Sequence, residues 1–171
     1  MKQTEIRFNL DGLEDIKEKI GKTYRTRVGI IGDKASKPHE GGITNAMLGL
    51  IQMFGSLTRK IPARDFLLMP LMTKHREIMV SFGTTSMRAA FAAGDYRRMF
   101  AMLGVKAEEI IQQAFETKGF GRWAPNAPAT IDRKGSSMPL INFGELRRAV
   151  SSDVVNQTGQ AKVGNNPRVA P

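Results

Sequence analysis

The sequence holds no cysteine, one tryptophan and two histidines among its 171 residues. The first absence excludes disulfides, thiolate metal sites and a cysteine nucleophile. With His39 and His75 alone, imidazole chemistry has little to draw on. His75 falls on an apolar stretch, where a hydrogen-bonded core or interface imidazole is the ordinary role. His39 sits in a polar stretch beside Glu40, and such a pair does not make a metal site. No apolar run approaches the roughly 20 residues that a membrane helix needs. The opening MKQTEIRFNL lacks the apolar centre of a secretory signal. A soluble protein made in the cytoplasm, with no membrane contact, is the expectation.

Catalytic motifs are missing too. There is no Walker phosphate loop. Gly119-Phe120-Gly121 with Ala124 loosely matches a dinucleotide fingerprint, but Pro125 follows and no strand precedes it. Glu108 and Glu109 are adjacent, so on a helix they point about 100° apart and cannot jointly work one substrate; complementing a helix N-terminus suits them better. These residues predict a protein that is not an enzyme and takes no cofactor.

What is present is positive charge. The chain carries 26 basic and 16 acidic residues, a formal net charge of +10. That excess favours contact with nucleic acid or with acidic protein surfaces and does not choose between them. It is spread along the chain, with no basic tail.

Hydrophobic spacing predicts an α+β class: several helices packed with a small mixed or antiparallel sheet. Alternation over Thr4–Leu10 reads as a strand, and Asp11 with Glu14 as the capping box of a helix with Leu13, Ile16 and Ile20 inward. Tyr24–Ile31 reads as a second strand, with Gly29 marking a weak point or a bulge, and Gly32–Gly42 as a polar loop. Over Thr44–Phe54 the helical stripe Met47, Leu50, Ile51 and Phe54 is expected to face the core. Pro62 forces an extended Ile61–Arg64. One helix from about Pro70 carries Leu71, Met72, His75, Ile78, Met79 and Phe82 on one face. A short helix around Met87–Phe91 follows, then one capped by Asp95 and closed by Gly104, then another over Val105–Lys118. A last helix with Leu146 and Ala149 and a closing strand at Ser151–Val155 complete one domain, residues 1–155. Residues 156–171 read as a flexible tail.

Between Gly119 and Val150 lies a long stretch with three prolines and four glycines, which predicts an ordered loop rather than one regular element. Phe120, Trp123, Ile131, Met138, Leu140 and Ile141 would anchor it.

Two stretches together resemble the virion-morphogenesis and tail-completion proteins of tailed bacteriophages. The first is Phe54-Gly55-Ser56 followed by Ile61-Pro62-Ala63-Arg64-Asp65-Phe66-Leu67. The second comprises Trp123-Ala124-Pro125, Pro128, Thr130-Ile131, Arg133-Lys134-Gly135-Ser136, Pro139-Leu140-Ile141 and Gly144-Glu145-Leu146-Arg147, in the order that family shows them. Asp65 stands where the family has proline, Met53 where it often has an acidic residue, and Asn142-Phe143 where it has aspartate-threonine. The resemblance implies a structural protein of the head-tail neck or tail end, located in the virion. It would form a homo-oligomeric ring of six or twelve subunits against connector, tail-tube or sheath proteins, with non-specific DNA contact in the lumen. Such a ring needs two different complementary faces on each subunit. Expected assembly residues are Arg64 and Phe66, with Phe120, Trp123, Ile131 and Leu140 as anchors against a neighbour or onto the subunit's own sheet, and Arg122, Arg133, Lys134, Arg147 and Arg148 as a polar rim or facing acidic partners. For Trp123 an internal core position is the competing role. A different class also fits the charge: a small basic nucleic-acid-binding protein outside any virion, with Trp123 stacking on bases beside Arg122 and Arg133.

Overall fold

The computed structural model describes residues 12–14, 24–38, 42–140 and 144–156. The expected strand Thr4–Leu10, most of the helix expected from Asp11, His39, Ile141 and the tail beyond Asn156 lie outside the described residues; residues 12–14 are helical. The class is α+β. Strand β1 (Tyr24–Ile30) pairs antiparallel with β2 (Val150–Asn156), Tyr24 opposite Asn156 and Ile30 opposite Val150. Pairing is continuous through Gly29, so the expected weak point holds no bulge. Eight helices fill the rest of the described chain: α1 (Asp33–Ser36), α2 (Asn45–Phe54), α3 (Leu68–Thr73), α4 (His75–Ser81), α5 (Thr85–Ala92), α6 (Tyr96–Glu116), α7 (Pro128–Lys134) and α8 (Glu145–Ala149).

The two-stranded sheet lies on α6, the longest of the described helices. Asp95 starts that helix by accepting from the Arg98 amide at 3.0 Å. Its buried stripe runs from Met99 through Gly104, Ala107, Ile110, Ile111 and Ala114 to Phe115. Gly104 does not end the helix as expected; α6 continues through it. A Cβ on Gly104 would fall 2.8 Å from Ser152 Cβ and 3.2 Å from Thr26 Cγ2, so this glycine lets both strands approach the helix. Thr26 Oγ1 bonds the Phe100 carbonyl at 2.6 Å in the same zone. Burial of the stripe along this 21-residue helix outweighs the ~1 kcal/mol that glycine costs inside a helix.

Four other expectations change. The helix expected from Pro70 is two helices that part at Lys74, and beside the break His75 Nδ1 donates to the Met72 carbonyl at 2.9 Å. That carbonyl would otherwise serve the continuing backbone ladder. Gly32–Gly42 contains the short α1, and the long loop contains α7, which opens at Pro128 and ends at left-handed Gly135. The largest correction concerns α2. Of its expected core stripe, Met47, Leu50 and Phe54 are exposed, Phe54 by 70%, and Ile51 is half-buried. Its inward face instead carries Asn45, Leu48, Gly49 and Met53. A Cβ on Gly49 would lie 2.6 Å from Ile30 Cδ1, so that face presses closely on β1.

Candidate functional site

The two stretches that carry the family resemblance are fastened to each other. Arg64 is buried, and its guanidinium donates to the carbonyls of Ala124 (2.8 Å) and Pro125 (2.9 Å) and to Asn126 Oδ1 (3.3 Å). Burial pulls its pKa down from the usual guanidinium value. Asn126 passes the link on by donating to the Met138 carbonyl at 3.1 Å. From the other side, Trp123 Nε1 donates to the Asp65 carbonyl at 3.1 Å. Asp65, where the family pattern has proline, caps α3: its carboxylate accepts from the amides of Leu67, Leu68 and Met69 at 2.8 to 3.0 Å.

Trp123 occupies the internal position. Its ring meets Phe115 edge to face at 5.6 Å, and Phe115 meets Phe66 at the same distance. Phe66 and Phe115 are fully buried, with Ile111, Leu140, Leu146 and Val150 around them. The chain returns from α6 to this cluster through four successive residues with positive φ: Lys118, Gly119, Phe120 and Gly121, at 55°, 67°, 55° and 78°. A Cβ on Gly119 would collide with the Trp123 ring. A left-handed backbone costs a non-glycine residue roughly 1–2 kcal/mol. Here that cost falls on Lys118 and Phe120 and is offset by burial of the indole.

Arg64, Phe66, Trp123 and Leu140 therefore hold the loop from inside the subunit; they are not its contact surface. Phe120 is half-buried beneath Lys74 Nζ, 5.4 Å from the ring centre, and Ile131 is half-buried on α7. Arg147 binds Gln112 and Glu116 of its own α6, fixing α8 against that helix. Arg122 and Arg148 are exposed, and Arg122 reaches Thr73 Oγ1 at 3.3 Å. Arg133 and Lys134 belong to α7, and their side chains lie outside the description.

Sequence reasoning missed the surface that stands open. Besides Met47, Leu50 and Phe54, Leu57 just past α2 is 100% exposed. A second open apolar region lies between α4, α5 and the start of α6. It is a groove of about 650 Å³ lined by Phe82, Met87, Arg88, Phe91, Ala92 and Met99. Apolar side chains left open together on a monomer are candidates for an interaction surface or a ligand groove. A usable signal existed for α2: from Asn45 to Phe54 it has no charged residue and only the amides Asn45 and Gln52 are polar, so more than one face needs cover. Among the described residues, no group of three or more histidine, aspartate or glutamate side chains could hold a metal.

Comparison with known proteins adds no relative: no family model matches the chain, and searches of curated proteins and of solved structures find no match.

Proposed function

We propose that this chain is a structural assembly subunit of a tailed-phage virion, forming a ring at the head-tail neck or tail end that completes or joins the tail and lets DNA pass. The observation that carries the reading is helix α2, which turns Asn45 and Gly49 inward and leaves Met47, Leu50 and Phe54 in solvent. Exposed apolar side chains on a helix already packed on its other side gain about 25 cal/mol per Å² when a partner covers them. The phage assignment comes from the ordered motifs between Phe54 and Arg147, and the Arg64 and Trp123 links support treating those motifs as one structural unit.

Native mass spectrometry and electron microscopy of the chain, alone and mixed with neck and tail components, test the reading. The expected outcome is a discrete closed ring. A chain that stays monomeric with every such component overturns it. The nucleic-acid alternative gave Trp123 a stacking role, which needs an open indole face; this indole is 7% exposed and packed against Phe115.

A further inference from the structure

We infer that α2 of one copy seats in the groove between α4, α5 and α6 of the next copy, so that identical subunits join head to tail. The inference rests on the assembly reading and adds which two surfaces meet. Position argues first. Gly49 presses toward Phe66, which packs on Phe115 near the C-terminal end of α6, whereas the groove is floored by Met99 near its N-terminal end. Those two α6 residues are sixteen positions apart, or about 24 Å along the axis. The faces cannot cover each other within one subunit. An arrangement with two different faces at opposite ends is what a heterologous contact requires.

Chemistry argues second. Helix α2 carries no charge, so it can enter an apolar groove without stripping water from an ion. It shows methionine, leucine and phenylalanine, the groove is lined by phenylalanine, methionine and alanine beside Thr85 and Arg88, and methionine adapts to irregular apolar gaps. Charge sets a direction. The last turn of α2 holds no basic residue to complement its partly negative carbonyl end. Arg88 in the groove wall supplies that cation from the neighbour. A ten-residue helix is about 15 Å long, a length that two helices such as α5 and α6 can cradle.

Because the chain has no cysteine, engineered thiols report without background. Leu50→Cys places one on the exposed stripe and Ala92→Cys one in the groove, both at solvent-facing positions that leave folding intact. On oxidation, the double variant is expected to give a ladder of cross-linked multimers. An equimolar mixture of the two single variants is expected to stop at dimers, and each single variant alone to stay uncross-linked. Arg88→Glu in the double variant should reduce the ladder. Dimers from Leu50→Cys alone would show α2 packing on α2 and overturn the pairing. Multimers by mass without cross-links would overturn the pairing and leave the assembly reading standing. If the double variant stays monomeric even within an assembly-competent mixture, both fail together.

Discussion

Helices α6 and α2 handle their apolar residues in opposite ways. The longer helix hides its stripe, from Met99 to Phe115, beneath α5, the sheet and the loop, and leaves residues such as Arg97, Arg98 and Glu109 in solvent. The shorter one buries asparagine and glycine and shows methionine, leucine and phenylalanine to water. A single folded chain accounts for the first pattern. The second leaves apolar side chains in water and makes sense when another surface closes over it. One helix thus belongs to the fold and the other, on its outer side, to the proposed assembly.

That contrast can be broken first on the α6 side. Phe115→Ala should cost about 3–5 kcal/mol in urea unfolding, since it empties a site between Phe66 and Trp123. Trp123→Ala should fall in the same range, and any loss of assembly it causes then follows from loss of the fold. Arg64→Met removes three hydrogen bonds and leaves the Ala124 and Pro125 carbonyls unserved; a loss of about 2–3 kcal/mol is expected by the same measurement. Gly104→Ala sets overpacking against Ser152 in opposition to better helix propensity, for a net loss of about 1–2 kcal/mol. On the α2 side the expectation reverses. Leu50→Ser or Phe54→Ser should change unfolding stability by no more than about 0.5 kcal/mol, while multimer yield in native mass spectrometry falls sharply.

The smallest effect concerns pH. Arg27 Nε donates to Asp153 Oδ1 at 2.9 Å across the β1–β2 pair, and this hydrogen bond with its ionic attraction holds the Asp153 carboxyl below its ordinary value. A carboxyl depressed in the folded state stabilises the fold above its unfolded pKa, about 3.9. That contribution disappears as pH falls through the folded value. Both side chains are well exposed, so the effect is slight. Asp153→Asn should lower the melting temperature a little at pH 7 and not at all near pH 2.

Much of the fold was legible because its signals are local. Alternating Tyr24, Thr26 and Val28 marked β1, and Asp95 marked the start of α6. Gly104 misled because glycine weakens a helix in isolation, and only the strands lying across it reveal why a side chain there is intolerable. Helix α7 had its signals in plain view, Pro128 at the first turn and Gly135 at the end, but they sat in a stretch dense with other prolines and glycines. For α2 the period was read correctly and the direction was not. Apolar spacing says that a face must be covered and is silent on whether this chain or another covers it. The loop residues divided for a similar reason: a tryptophan and arginines suit an interface and a core equally well, and only the partners at 58 and 60 residues' remove separate the two.

The left-handed turn from Lys118 to Gly121 has a consequence in time rather than in contact. Lys118 and Phe120 keep an unfavourable backbone only while the indole beyond them stays seated. Releasing Trp123 frees both residues to relax to the ordinary right-handed form, and resealing the loop requires the whole turn to invert again. The segment should therefore behave as a latch with two positions. In native-state hydrogen exchange the amides of Gly119, Gly121 and Trp123, each bonded within or just before the turn, are expected to exchange together, through one opening event.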